Sequence, residues 1–214
     1  PVTTPVPFTF PEENSTSPIK VVIGFRHTCV LMDDKSVWCK GDNNYGQLGD
    51  VTSSNSSSTP VQVKKDGIVI TNADDIEAGP FHNCIKLDDN SLYCFGNDDY
   101  SQLGFNEETN VKLMALGRYA TCIVKNSNPN EVVCKGGQDG RFNETYDMGE
   151  EIVKLVSGSK HFCVLLESKK AKCFGSNSDG GQLGNGSRID SHDSAVDVVD
   201  SHGSALSDIT DINA

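Results

Sequence analysis

The sequence predicts an all-β protein assembled from four repeated units, each centred on a disulfide-closed hairpin. Three observations predict it: the eight cysteines fall into four pairs of near-constant spacing, a glycine stands at a fixed distance on either side of each pair, and polar turn formers sit midway between the paired cysteines.

The first unit reads Gly24-Phe25-Arg26-His27-Thr28-Cys29, then Cys39-Lys40-Gly41. The second reads Gly79-Pro80-Phe81-His82-Asn83-Cys84, then Cys94-Phe95-Gly96, and the fourth Gly158-Ser159-Lys160-His161-Phe162-Cys163, then Cys173-Phe174-Gly175. The third runs from Gly117 to Cys122 and from Cys134 to Gly136, and it carries Ala120 where the others have His. Between the cysteines lie the turns Asp33-Asp34-Lys35, Asp88-Asp89-Asn90, Asn126-Ser127-Asn128-Pro129 and Glu167-Ser168-Lys169, flanked by apolar and β-branched residues, so each unit reads as a hairpin. The even spacing lets the cysteines face each other across the two strands, where non-hydrogen-bonded pairs come close enough to bridge. Of the 105 ways to join eight cysteines, hairpin geometry selects Cys29 with Cys39, Cys84 with Cys94, Cys122 with Cys134, and Cys163 with Cys173. Leu31 then faces Val37 on the same side of the first hairpin.

After each pair comes a second recurring element: Tyr45-Gly46-Gln47-Leu48-Gly49, Tyr100-Ser101-Gln102-Leu103-Gly104 and Gly181-Gln182-Leu183-Gly184, degraded to Gly137-Gln138-Asp139-Gly140 in the third unit. Its glycines permit the positive φ of a sharp turn, and its Leu suits a pocket between units. Apolar stretches at Ile19–Ile23, Asp75–Ala78, Lys112–Leu116 and Ile152–Val156 supply a further strand ahead of each hairpin. Ala195–Val199 and Asp208–Ala214 match these leading strands with no hairpin after them, and they read as orphan strands with edges open to a neighbour.

Gly-x-x-His-x-Cys, a hairpin, Cys-x-Gly and then Gly-Gln-Leu-Gly together resemble the regulator of chromosome condensation repeat, in its cysteine-bearing extracellular variety, over roughly residues 17–214. The resemblance implies β-propeller-type blades, usually four-stranded in a ring of seven, so four units make an incomplete or open array. The chain departs from the pattern at Ala120 and in the third turn. It also has Lys40, Phe95, Lys135 and Phe174 where the family usually has Trp; its one Trp, Trp38, precedes Cys39. Nuclear members of the family bind chromatin and exchange guanine nucleotide on a small GTPase, but such activity belongs to particular surfaces and does not follow from the fold.

A formal net charge of −12 opposes nucleic-acid and anionic-membrane partners. Paired cysteines require an oxidising compartment, which places the chain outside the cytosol. Separations of nine or eleven residues between cysteines suit bridges better than zinc, and the acidic stretches Asp98-Asp99 and Asp190–Asp200 lack the ligand spacing of a calcium loop. His27, His82 and His161 read as buried hydrogen-bonding residues tying adjacent strands. No catalytic constellation stands out, so the expectation is a non-enzyme without metal or cofactor. Asn14, Asn55, Asn143 and Asn185 each begin an N-glycosylation sequon. Residues 1–16, rich in Pro and Thr, read as an extended linker or stalk, and 17–214 as the repeats. The start at Pro1 suits a processed product or a piece of something longer. Two functions follow as expectations. One is a structural or adhesive extracellular glycoprotein that joins copies of itself, or the rest of a longer chain, head to tail. The other is the ligand-binding propeller ectodomain of a receptor or larger secreted protein, holding a protein or glycan.

Overall fold

The structure is a computed structural model that describes residues 8–9, 16–52 and 54–214, the side chain of Asp139 excepted. Four antiparallel sheets follow one another along the chain, each built outward from a leading strand. The first holds β1 (Pro18–Ile23), β2 (His27–Met32), β3 (Val37–Asp42) and β4 (Ser56–Gln62), in that order. A small hairpin, β5 (Lys64–Lys65) and β6 (Ile68–Val69), leads to the second sheet of β7 (Ala73–Ala78), β8 (His82–Leu87) and β9 (Leu92–Gly96). The third has β10 (Val111–Leu116), β11 (Ala120–Lys125), β12 (Asn128–Gly136) and β13 (Thr145–Asp147); the fourth has β14 (Ile152–Ser157), β15 (His161–Leu166), β16 (Ala171–Gly175) and β17 (Ser191–Asp197).

The four hairpins are bridged as Cys29–Cys39, Cys84–Cys94, Cys122–Cys134 and Cys163–Cys173, each pair directly opposed in register with Cα atoms 4.0 to 4.1 Å apart. Short Cα separations mark non-hydrogen-bonded pairs, whose amides point away from one another. Cys134 accordingly donates its N–H outward to the Glu144 carbonyl. Among the described residues the second sheet has no fourth strand to receive that bond. Cys94 instead donates to Asn106 Oδ1 at 2.5 Å, and Leu92 exchanges backbone bonds with Glu107 and Glu108, so the loop after Leu103 closes the edge of β9.

The leading strands β1, β7, β10 and β14 stand side by side along the inner rim, and the apolar clusters lie between successive sheets. The inner-rim residue at one position of this series is always apolar. Ile76, Met114 and Leu155 are buried against the preceding sheet, whereas Val21, with no sheet before it, is 57 % exposed.

The two C-terminal stretches differ from the sequence reading. Ala195–Val199 is not orphaned, because Ser191–Asp197 is the outer strand of the fourth sheet, paired with β16. The segment after Asp208 does behave as a leading strand in its contacts. Ile209 donates its N–H to the Lys169 carbonyl, as Ala73 does to Lys35 and Val111 to Asn90, three hairpin-tip residues with φ of 61 to 64°. Asp211 Oδ1 accepts the Ile212 amide as Asp75 Oδ1 accepts that of Ile76, and Lys154 reaches Asp211 as Lys20 reaches Asp75. Residues 209–214 thus lie on the open side of the fourth sheet, in the place that a leading strand takes in every earlier junction.

Candidate interaction surfaces

The junction between sheets is the functional unit of this architecture, because it explains the repeat residues and leaves two unsatisfied ends. In the first junction the His27 ring lies over Gly24; a Cβ on that glycine would stand 2.0 Å from His27 Cε1. His27 Nε2 meets Asn83 Oδ1 at 2.9 Å, while Asn83 Nδ2 donates to the Gln47 carbonyl at 2.8 Å. The second junction repeats the relay with a hydroxyl: His82 Nε2 meets Thr121 Oγ1 at 2.9 Å, and Thr121 Oγ1 donates to the Gln102 carbonyl at 2.8 Å. In both, the acceptor role of the partner oxygen requires the ring to carry a proton on Nε2, which in the neutral ring leaves Nδ1 bare. Burial favours that neutral form, lowering the His27 pKa and pushing that of His82 down to about 3. His27 and His82 therefore tie adjacent sheets rather than adjacent strands.

The carbonyls that receive these bonds are held by the turn itself. Gln47 Oε1 accepts the Tyr45 amide and Asn43 Oδ1 that of Leu48; Gln102 with Tyr100, and Asn177 with Leu183, repeat the pattern. Leu48 and Leu183 are fully buried. The glycine after the second cysteine has its own reason. Gly41, Gly96, Gly136 and Gly175 have φ between 104 and 121°, and a Cβ there would lie 2.3 to 2.7 Å from the carbonyl oxygen of the residue before the histidine position. Above each relay an aromatic pair closes the surface: Tyr45 with Phe81 at 5.7 Å and Tyr100 with Tyr119 at 4.7 Å between ring centroids.

The third junction is built differently. Ala120 has no ring to offer, and Phe162 stands where Asn83 and Thr121 stand in theirs. Phe162 packs with Phe142 at 5.3 Å and Phe174 at 5.7 Å, so an aromatic cluster replaces the polar relay. A cavity of about 250 Å³ opens here, lined among others by Ala120, Arg141, Phe142, Lys160, Ser176 and His192.

At the far end, the fourth sheet repeats the first half of a relay. His161 lies over Gly158, half-buried, and the Gln182 turn is intact with Oε1 accepting the Gly180 amide. Burial lowers the His161 pKa as well. At the near end, Thr28 occupies the position of Asn83 and Thr121, beside Arg26, Lys40, Ser57 and Ser58 in a shallow hollow of the first sheet.

Of the sequon residues, Asn55 and Asn143 are exposed, and Asn143 Oδ1 accepts the Gly136 amide. Asn185 is half-buried and its Oδ1 accepts from Asn177 Nδ2 and the Ser187 amide, while Asn14 lies outside the described residues. Among the described residues no cluster of three or more His, Cys, Asp or Glu is placed to hold a metal. Asp190, in the acidic stretch weighed for calcium, instead accepts the amides of Asn177 and Ser178, which hold its carboxyl below the usual range.

Comparison with known proteins agrees with these units. Two family models described as the regulator of chromosome condensation (RCC1) repeat match residues 19–47, 73–102 and 152–180, and residues 34–85. The matched stretches cover more than half of the chain and pass over the divergent third hairpin. The human E3 ubiquitin-protein ligase HERC2 is 26 % identical over 163 residues, 76 % of this chain but 3 % of HERC2. The crystal structure of Prp20p from Saccharomyces cerevisiae, whose title records binding to Gsp1p and histones, superposes with a TM-score of 0.71 at 14 % identity over 90 % of this chain and 52 % of that one. The ectodomain of the Arabidopsis thaliana receptor kinase ACR4 gives a TM-score of 0.53 at 21 % identity over 77 % of this chain and 53 % of its own. The chain thus spans about half the length of these solved propellers.

Proposed function

Since the chain belongs to the regulator of chromosome condensation repeat family, we propose that it is a non-enzymatic, extracellular protein-interaction module that joins copies of itself head to tail through its two open sheets. The observation that carries this reading is the split relay. His161 and the Gln182 carbonyl wait at one end, and Thr28 stands at the other in the register that Thr121 holds between sheets two and three. Docked together, they complete a fourth relay, Val21 becomes covered, and Lys40 comes over the turn at Gly184 as Lys135 comes over Gly104, whose carbonyl it reaches at 2.6 Å. Two unlike ends that meet need not close on themselves, so the product is a ring or an open filament.

Four disulfides support an oxidising compartment, and glycans at Asn55 and Asn185 fit it. Intact mass before and after deglycosylation reads them directly. Residues 1–16 serve as the tether of the repeat body, 17–214. A structural or adhesive role uses repetition without chemistry.

A joining copy places β1 where residues 209–214 lie, so truncation after Leu206 strengthens association, whereas Thr28→Ala or His161→Ala weakens it. Light scattering over a concentration series measures this. A particle that stays at 23.0 kDa in both the intact and truncated forms overturns self-assembly. The second reading, a propeller ectodomain in which further sheets of a longer chain cover the same ends, is favoured by the likeness to the ACR4 ectodomain. In that case Thr28→Ala and His161→Ala lower the stability of the longer chain and leave its mass unchanged.

A further inference from the structure

Three of the four disulfides are sealed under the sheet that follows them. Cys29 and Cys39 share an apolar cluster with Ile76 of the second sheet, Cys84 and Cys94 with Met114 of the third, and Cys122 and Cys134 with Leu155 of the fourth. Each of these six cysteines is at most 2 % exposed. Cys163 and Cys173 belong to no such cluster, because among the described residues no sheet follows the fourth. Cys173 is buried under its own sheet, but Cys163 alone of the eight cysteines is only half-buried.

What stands over this last bridge is a single strand with no hairpin behind it. The register that makes Asp211 the counterpart of Asp75 makes Ile212 the counterpart of Ile76, the residue packed over the first bridge. Ile76 is fully buried, whereas Ile212 is half-buried. Among the described residues, the hydrogen bonds that hold residues 209–214 to the fourth sheet are one from the Ile209 amide to the Lys169 carbonyl and those of Lys154 to Asp211 and Asn213. The Lys154–Asp211 ion pair is exposed, and exposed pairs hold weakly. A segment held in this way opens without disturbing the sheet beneath it.

We infer that the Cys163–Cys173 bridge is a thiol-exchange site, the first of the disulfides to open to a small dithiol, with residues 209–214 as its removable cover. One thiolate of the dithiol attacks the Cys163 sulfur. A new S–S bond forms to the attacker as the Cys163–Cys173 bond breaks, and the electron pair leaves on the Cys173 sulfur, which takes up a proton. The second thiolate then displaces Cys163, which is protonated in turn. The dithiol ends as a disulfide, oxidised by two electrons, and the hairpin carries two thiols. The site lies on the face that a joining copy would cover, so it shares that open sheet with the end-to-end reading but does not need joining to occur.

Pulsing the native chain with dithiothreitol, blocking the freed thiols with iodoacetamide and mapping the peptides tests it. In dilute solution Cys163 and Cys173 should be alkylated about tenfold sooner than any other pair, since the others wait for a local opening between sheets. Ile212→Ser, which leaves the rest of the cover in place, and truncation after Leu206 should each speed this bridge severalfold. The other three bridges should keep their rates in both variants, which also shows that the variants stay folded. Another bridge opening first, or all four opening together, overturns the site, and an unchanged rate in both variants overturns the cover. Repeating the pulse over a concentration series separates the two readings. Early opening that slows as the chain is concentrated supports both the site and a joining copy above it, whereas early opening at a rate independent of concentration supports the site and fails the end-to-end reading.

Discussion

Phe162 lies over Gly117, its ring tip 3.0 Å from where a Cβ on that glycine would stand, and so takes the place that His27 and His82 hold over Gly24 and Gly79. The loss of a histidine at Ala120 and the gain of a phenyl ring one position further along in the next unit are therefore two halves of one exchange. A polar relay has become an apolar contact across the same gap.

Truncating that ring should be costly. Phe162 is fully buried among Phe142 and Phe174, so Phe162→Ala is expected to lose about 3 to 5 kcal/mol in urea denaturation. Ala120→His alone crowds the phenyl ring. Combined with Phe162→Thr it restores a hydroxyl acceptor, so the pair should cost clearly less than the sum of the singles, a coupling that a double-mutant cycle measures.

Acid should loosen the first two junctions. Because burial holds the His82 pKa at about 3 against 6.5 for the free side chain, the unfolded chain binds more protons than the folded one between those values. Stability is therefore complete above about pH 6.5 and falls as the pH drops toward 3, by about 1.4 kcal/mol per unit. His27 adds to the loss in the same direction. The melting temperature should fall between pH 7 and 4.5, and His82→Gln should flatten that dependence; an unchanged slope in the variant contradicts the neutral relay.

The two classes of positive-φ glycine should separate. Gly96 has φ 115° and a would-be Cβ 2.6 Å from the Phe81 carbonyl oxygen, whereas Gly67 has φ 81° and open space around it. Gly67→Ala should cost about 1 kcal/mol, the strain of a left-handed alanine. Gly96→Ala adds displacement of backbone to that strain and should cost well over 2 kcal/mol. Chemical denaturation of both variants compares them directly.

Each disulfide closes a loop of 10 or 12 residues, and loop entropy assigns about 2 to 3 kcal/mol to a bridge of that size. Replacing Cys84 and Cys94 by Ser should cost about that much and leave the other three bridges intact by non-reducing peptide mapping. A bridge found between two different units contradicts the hairpin pairing.

Hairpins, bridges and leading strands were legible because cysteine spacing and β-branched flanks are short-range signals. The outer strands were not. Ser56–Gln62 is Ser- and Thr-rich with a proline, and it reads as a loop because an exposed edge strand has no apolar face to announce it. The relay partners were equally hidden, although the position after each histidine, or after Ala120 in the third unit, carried the information: Thr28, Asn83, Thr121 and Phe162. Which residue meets which across a junction depends on how sheets stack, and a single unit cannot disclose it. The end-facing pair of Thr28 and His161 is visible only once the sheets are in order.

The bridges at the hairpin bases also decide how the chain answers a pull. Tension applied between its ends runs through the sulfur atoms and bypasses the residues enclosed between each cysteine pair, so a loop such as that of Cys84 and Cys94 withholds about 30 Å of slack, at roughly 3.4 Å per residue less the 4.0 Å already spanned. Reduction releases that hidden length one hairpin at a time. A tether made of such units is short and stiff in an oxidising medium and extensible in a reducing one.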